Sequence, residues 1–210
     1  MQKEVPILFS TPMVNALLKG RKTQTRRIAN PIDKPKCAAG DLLWVRENIF
    51  CHPIYNAKDA KKGYCGKLFE DGKPVAFRGY VADEPNYKLF KWKGIPSIHM
   101  PKAAARIWLR CTGVRLERLQ DISTTDIIAE GVQLLMSRDK VLYELGNPNG
   151  TYAILQELTK TSGRTGEGLA FFTYWAELWI KINGRESWTA NPSVWVYEFE
   201  VVSTTGNPRL

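Results

Sequence analysis

Apolar residues recur along this chain with two different periods, and the period sorts the chain into elements. Alternation of period two predicts strands over Val5–Phe9, Leu42–Glu47, about Ala105–Leu116 and Val194–Val202. In the last of these, Trp195, Tyr197, Phe199 and Val201 share one face while Val194, Val196, Glu198 and Glu200 take the other. Helical spacing of Phe171, Tyr174, Trp175, Leu178 and Ile182 predicts a long helix over Leu169–Ile182 that stops at Asn183-Gly184, its stripe being core packing. A shorter helix follows the first strand, with Thr11 as N-cap, Pro12 at the first helical position, Val14, Leu17 and Leu18 on one face, and Gly20 as the stop. A third runs from Thr124 to Glu130, with Ser123 as N-cap, Asp126 three residues on and Gly131 as terminator. Arg138–Leu145 reads as helical until the run Gly146-Asn147-Pro148-Asn149-Gly150 breaks it, and Thr159–Gly168 reads as a polar loop. The stretch from about 48 to 96 lacks long apolar periodicity and reads as short strands and loops. Short strands, few helices and no βαβ rhythm predict an α+β, mainly β fold, a small barrel rather than a parallel sheet. The expected organisation is one domain over residues 1–210 with insertions at about 48–96 and 133–168.

With 210 residues, 44% of them hydrophobic and seven of them Trp, the chain has enough apolar surface for a proper core. No apolar run approaches the roughly 20 residues of a membrane span, and Met1-Gln2-Lys3-Glu4-Val5-Pro6 lacks the regions of a signal peptide. Cys37, Cys51, Cys65 and Cys111 stand singly, and only His52 and His99 are available to join them. That spacing does not make a zinc site, so reduced thiols in the cytoplasm, with no metal and no cofactor, are expected. The net charge of +9 points to an anionic partner, nucleic acid ahead of membrane.

The charge is concentrated early. Lys19, Arg21, Lys22, Arg26 and Arg27 fall in a segment with no acid between Glu4 and Ile32. Gly20 can take the left-handed turn that ends the helix and brings backbone close to a ligand. Thr23, Thr25 and Ile28 suggest extended chain next, which sets Lys22 and Thr25 on opposite faces unless the turn reunites them. Read by composition alone, the segment is either a solvated basic loop or a phosphate clamp.

The run Gly20-Arg21-Lys22-Thr23-Gln24-Thr25-Arg26-Arg27, followed by the strand start Gly40-Asp41-Leu42-Leu43-Trp44-Val45, resembles the ASCH-domain family. That family's motif is commonly G-x-K-x-x-E-x-R. Gly20, Lys22 and Arg27 match it, and Thr25 stands in the Glu position. Thr at that place is also found in the family's amidohydrolases acting on N4-acetylcytidine, whose G-R-K-T-x-T-x-R pattern matches at Gly20, Arg21, Lys22, Thr23, Thr25 and Arg27. A second block, Leu119-Gln120-Asp121-Ile122 through Ala129-Glu130-Gly131, puts Glu130 at the offset of those enzymes' catalytic Glu. Trp44–Glu47, Ser97–Pro101 and Trp188–Phe199 look like the larger ASCH-like proteins of bacteriophages and prophages. The resemblance covers about half of the chain and leaves both insertions without a counterpart.

The resemblance implies a PUA-like β-barrel with flanking helices, linked to RNA. It also implies catalytic roles for Lys22, Thr25 and Glu130. Amide hydrolysis needs an activated nucleophile, a proton donor for the leaving amine and help for the oxyanion. Crowding by Arg21, Arg26 and Arg27, together with burial, would lower the pKa of Lys22 and free its amine. Thr25 would position a proton, and Glu130 would serve as general acid or base. Substrate-binding candidates are Gly20, Arg21, Arg26, Arg27, Trp44, Arg46, Glu47, His99 and Asn191. For several of these a structural role competes: Trp44 stacks a base or fills the core, Glu47 reads a base or pairs with Arg106 or Arg46, and Asn191 offers an amide or caps a turn. The aromatic–lysine runs Tyr87–Lys93 and Lys58–Lys67 read either as a nucleic-acid-facing lip or as a protected edge strand. His52, in a Cys-His-Pro turn, is expected at the surface.

The expected partner is RNA, single-stranded nucleic acid or a modified nucleoside, met by a monomer in the cytoplasm of a bacterium or phage-infected host. Two other functions remain open: a non-catalytic reader of RNA or modified DNA, and a metal-independent ribonuclease.

Overall fold

A computed structural model describes residues 2–30, 32, 34–51, 69–70, 73–74, 77–90, 93–133 and 162–208. The protein is mixed α+β, built on a five-stranded sheet. Its strands are β1 (Glu4–Leu8), β2 (Gln24–Ile28), β3 (Leu42–Arg46), β9 (Trp108–Arg118) and β10 (Ser193–Ser203), in the order β1-β3-β9-β10-β2. β1 lies parallel to β3, and β3 antiparallel to β9. Among the described residues the helices are α1 (Thr11–Leu18), α2 (Thr124–Ala129), α3 (Gly166–Asn183) and α4 (Arg185–Thr189). No helix among the described residues is long and apolar enough to cross a membrane.

The chain forms two compact units. The first comprises Met1–Gly20, Lys36–Val114 and Glu198–Leu210, and the second comprises Arg21–Pro35 and Arg115–Tyr197.

In the first unit, Leu42, Ile49, Met100, Ala104, Ala105 and Trp108 form a buried cluster, with Trp44, Tyr80, Ile95 and Val202 packed against it. The expected short strands of the 48–96 region are β4 (Ile49–Cys51), β5 (Phe69–Glu70), β6 (Lys73–Pro74), β7 (Phe77–Tyr80) and β8 (Lys93–Ile95). β4 sits between β7 and β8 in a three-stranded sheet, and β5 pairs with β6. Tyr87–Phe90 is a 3-10 turn rather than an edge strand, and the Tyr87 ring stacks on Phe50 at 5.4 Å. The run Lys58–Lys67 and His52 lie outside the described residues, as does Arg138–Leu145.

Helix α1 begins one residue earlier than Thr11 capping implied. Ser10 holds the extended N-cap conformation and its carbonyl accepts the Val14 N–H at 2.9 Å, while Pro12 takes the early position that its missing N–H suits. Gly20 has φ +67, the left-handed stop expected of it.

The second unit is organised by α3. Leu119, Ile122, Ile127, Val132, Phe172, Trp175, Ala176, Trp179, Trp188, Val194 and Val196 make its core. The buried stripe of α3 is thus Phe172, Trp175, Ala176 and Trp179, while Phe171, Tyr174 and Leu178 flank it only partly buried. Gly184, at φ +84, ends the helix where the sequence placed the stop. In β10, Val194 and Val196 bury one face and Tyr197 and Phe199 the other, so apolar pressure acts on both sides of the strand's middle.

Trp188 is fully buried and meets Phe172 edge to face, with ring centroids 5.5 Å apart. Truncating such an aromatic leaves a cavity as well as losing transfer energy, so Trp188→Ala should lose about 3–5 kcal/mol of stability in urea unfolding. A loss below about 1 kcal/mol would contradict the packing described.

Candidate functional site

The site lies within the second unit and is built by two short pieces of chain. After Arg21 the backbone runs extended, and Lys22 forms an isolated antiparallel bridge with Glu130. The Thr23 N–H donates to the Ala129 carbonyl at 2.8 Å, fastening the chain to the end of α2. α2 itself is placed by its cap: the Ser123 hydroxyl accepts the Asp126 N–H at 3.1 Å. Glu130 follows the last helical residue as C-cap, and Gly131 turns the chain away at φ +87.

The Lys22 amine therefore arrives at the carbonyl end of a helix, where a cation is favoured. It donates to the Glu130 carbonyl at 2.9 Å and to the Glu130 Oε2 at 2.6 Å. The Lys22 side chain has no exposed surface and that of Glu130 is 3% exposed. Burial pulls the Lys22 pKa below 10.5 and outweighs the Glu130 charge and hydrogen bond that raise it, with Arg27 and Arg26 adding to the lowering.

Strand alternation puts Gln24 and Arg26 on one face of β2 and Thr25 and Arg27 on the other. Arg26 is fully enclosed, and its guanidinium makes five hydrogen bonds to four acceptor atoms. Nε and Nη2 donate to Glu117 Oε1 at 2.8 and 2.6 Å, and Nη2 also donates to Asp126 Oδ2 at 3.1 Å. Nη1 donates to Gln24 Oε1 and to Glu130 Oε1, both at 3.2 Å. Every N–H of that fork is engaged by the protein. Its carbon also lies 5.8 Å from the centre of the Trp175 ring.

A second tier holds these acceptors. Arg115 donates to Glu117 Oε2 at 3.2 Å and to Asp126 Oδ2 at 2.9 Å, and Gln24 Nε2 donates to Asp126 Oδ1 at 2.7 Å. For Asp126, burial alone would raise the carboxyl, but the Gln24 hydrogen bond, Arg26, Arg115 and the Ser123 bond together hold it below the usual range. Thr25 is buried on the other face of β2. Arg27 is partly buried, and burial lowers its pKa against the opposing charges of Glu130 and Tyr197.

The structure thus brings Lys22, Arg26 and Glu130 together, with Arg27 within electrostatic reach. Lys19 is exposed and Arg21 half-exposed. Asn191 stands in the left-handed region at φ +45, where its Oδ1 accepts the Gln120 N–H at 3.0 Å and its carbonyl accepts Arg118 Nη1 at 3.1 Å. Its amide is engaged in that turn. Trp44, Arg46, Glu47 and His99 belong to the first unit. There the Arg46 guanidinium lies 5.6 Å from the Trp44 ring and donates to the carbonyls of Met100 and Ile98. Glu47 is buried, and its two oxygens accept from Arg106 at 3.0 Å each. Burial raises the Glu47 carboxyl, with Arg106 opposing. Arg106 also reaches Asp83 and stacks at 3.8 Å on the Tyr80 ring. His99 is exposed at the end of the 3-10 turn Ser97–His99.

Sequence reasoning missed Gln24, Arg115, Glu117 and Asp126 as members of the cluster. A signal existed in the spacing. Gln24 and Arg26, and likewise Arg115 and Glu117, are polar residues two apart on strands, which is how buried polar faces are written. Among the described residues no group of three or more His, Cys, Asp and Glu is placed to hold a metal ion. A cavity of about 290 Å³ lies against α3, lined by Val132, Gln133, Tyr174, Glu177, Leu178 and Lys181, none of which belongs to the ion cluster.

No protein-family model matches the sequence, and no curated protein does. Among solved structures, a protein of Enterococcus faecalis V583 described by the family model DUF984 is similar at a TM-score of 0.39 and 10% identity, over 99% of this chain and 84% of that one. A likeness that slight carries neither the fold nor a function across.

The lowered Lys22 pKa fixes the sign of a pH effect. Between the folded value and the ordinary 10.5, the unfolded chain binds more protons at this position than the folded one. Stability should therefore rise with pH across that window. Comparing urea unfolding of the wild type and Lys22→Met at a series of pH values isolates this contribution. A difference between the two that stays flat with pH would mean that Lys22 ionises alike folded and unfolded.

Proposed function

We propose that this chain is an ASCH-like protein that binds a nucleoside or nucleic acid and hydrolyses an acyl amide on the exocyclic amine of cytidine, using Lys22 and Glu130. The observation that carries the reading is the enclosed 2.6 Å contact between the Lys22 amine and the Glu130 carboxylate, with the amine's pKa lowered by burial. A phosphate clamp has no use for this arrangement. Its cations must face solvent with free donors, whereas Lys22 and Arg26 are enclosed and bonded to carboxylates.

Hydrolysis adds water across the amide: a C–O bond forms at the acyl carbon, the bond to the cytidine amine breaks, and a carboxylic acid and free cytidine leave. A neutral Lys22 amine takes the proton of the attacking water. The Lys22–Glu130 pair then returns a proton to the departing amine. Arg26 holds the second oxygen of Glu130 and so fixes the carboxylate's orientation. Thr25, one strand position away, is the hydroxyl assigned to positioning by the family pattern. Neither Lys22 nor Glu130 faces solvent, so the chemistry requires the end of α2 to give way when substrate enters.

The same proposal takes the five-stranded sheet as the framework of a PUA-like barrel, with RNA, single-stranded nucleic acid or a modified nucleoside as partner in the cytoplasm of a bacterium or phage-infected cell. The net charge of +9 supports an anionic partner.

The test is incubation of the protein with N4-acetylcytidine and a panel of N4-acylated cytidines, read by mass spectrometry. Release of cytidine is expected. Lys22→Arg, which keeps the charge but cannot deprotonate near neutral pH, should abolish it. Glu130→Gln should reduce it by about 100-fold or more. Thermal melts establish that each variant is folded. A folded wild type that binds these ligands and releases nothing would make the chain a reader instead.

A further inference from the structure

The strands of the second unit show two faces of opposite character. Val194 and Val196 of β10 are buried in the core organised by α3. On the same side, Arg26 of β2 lies against Trp175 of that helix and binds Glu117 of β9. Strand alternation therefore turns Trp195 of β10, Arg27 of β2, and Leu116 and Arg118 of β9 to the opposite face. Two backbone bonds set their levels. The Ala29 N–H donates to the Ser193 carbonyl at 2.9 Å, and the Leu119 N–H donates to the Pro192 carbonyl at 3.0 Å. Each bond joins the end of β2 or β9 to the start of β10, so both strands run antiparallel to β10, which lies between them. Counting back from these bonds puts Arg27 and Leu116 on either side of Trp195, in one cross-strand row.

The faces differ in charge. Glu117, Asp126 and Glu130 gather around Arg26 on the α3 side. To the other face, β2 and the segments Arg115–Arg118 and Ser193–Tyr197 turn no acidic residue. Leu116 is 54% exposed there. Trp195 is half-buried, and its indole N–H is enclosed with no hydrogen-bond partner among the described residues. What that side chain shows to solvent is therefore carbon. Arg118 is exposed, and its Nη1 donates to a carbonyl, that of Asn191, rather than to a carboxylate. Aromatic carbon set among arginines can receive a planar base together with its phosphates.

We propose that the Arg27–Trp195–Leu116 row, with Arg118 beside it, is a stacking surface for single-stranded nucleic acid. One unpaired base lies on the carbon surface of Trp195 and Leu116, and Arg118 and Arg27 take the phosphates that flank it. A duplex suits the row poorly, because its grooves offer base edges rather than faces. An acidic peptide would use the arginines and leave the aromatic without a role. The Lys22–Glu130 pair joins Arg26 on the other side of β2, so the row holds a strand and takes no part in bond cleavage. The nucleic-acid partner is shared with the proposed function, while binding at the row does not require hydrolysis at Lys22.

The experiment uses the full chain and a short fluorescein-labelled pyrimidine oligonucleotide, single-stranded or annealed to its complement, with anisotropy read across a salt series. The wild type should bind the single strand more tightly than the duplex. Trp195→Ala should weaken single-strand binding about 5- to 150-fold, the range for losing one base stack, and leave duplex binding where it was. Trp195→Phe, which keeps an aromatic ring, should retain most of the affinity. Arg118→Gln should flatten the salt dependence by about one phosphate contact. Thermal melts establish that each variant is folded. Independently of any variant, a thiouridine-substituted oligonucleotide cross-linked by light to the wild type should map by mass spectrometry to the peptides bearing Leu116 or Trp195. A folded Trp195→Ala that binds the single strand as the wild type does, or a cross-link confined to other peptides, would overturn the proposal. Polyglutamate binding that Trp195→Ala weakens equally would make the row a protein-docking surface and overturn it too. Failure to release cytidine from N4-acetylcytidine would strike the hydrolase reading and leave these binding results standing.

Discussion

Four cations and three carboxylates, taken largely out of water, set the conditions under which the second unit can fold. Lys22, Arg26, Arg27 and Arg115 share their surroundings with Glu117, Asp126 and Glu130. Removing a single ion from water is prohibitive unless it is paired and its remaining hydrogen-bonding capacity is met. The cluster meets that condition through Arg26, whose planar fork presents five donors in fixed directions. Those directions in turn dictate where β2, the end of β9 and α2 must be. An apolar core tolerates some slippage, but five hydrogen bonds to one guanidinium do not. The aromatic core of α3 supplies the bulk of the burial, and Trp175 brings that core up against Arg26 itself.

Much of the scaffold was legible in the residues because its signals are local. Ser123 caps α2 through the Asp126 N–H, Gly20 and Gly184 sit at the left-handed stops, and the alternating strands occur close to where alternation places them. The buried stripe on α3 was displaced by one residue, from Phe171 to Phe172, because a helix with aromatics on adjacent positions has two defensible faces. The ion cluster was legible only in half. Lys22 and Glu130 were paired through a family resemblance, but nothing local says that Arg26 would meet Glu117 ninety-one residues away. Charged residues on strands read as solvated until their partners are known, and here the partners come from three separate stretches of chain. Asn191 and Glu47 illustrate the same ambiguity. Each is a polar side chain suited to a ligand, and each is engaged by its own protein, one in a turn and the other with Arg106.

The neutralisation of Lys22 and Arg26 also changes how the basic character of the chain should be understood. A run of five cations looked like a single electrostatic feature. In the folded chain it divides: Lys19 and Arg21 retain exposed surface, while Lys22 and Arg26 have exchanged water for carboxylates. Exposed positive charge and an enclosed, carboxylate-bonded amine therefore belong to different residues of the same eight-residue segment.

The saturation of Arg26 carries a consequence for descent as well as for folding. Exchanging one member of a buried ion cluster leaves its partner charged and unmatched, at a cost of about 3–5 kcal/mol, which is a large share of the stability of a typical domain. Single-step drift at Arg26 or Glu130 is therefore costly, though within what a typical domain can bear. Change costs less as coupled exchanges, a cation and its carboxylate together, or as conversion of the whole cluster to apolar residues of matching volume. Among relatives of this chain, these positions should vary mostly as a block, and the block would mark common ancestry more durably than overall identity.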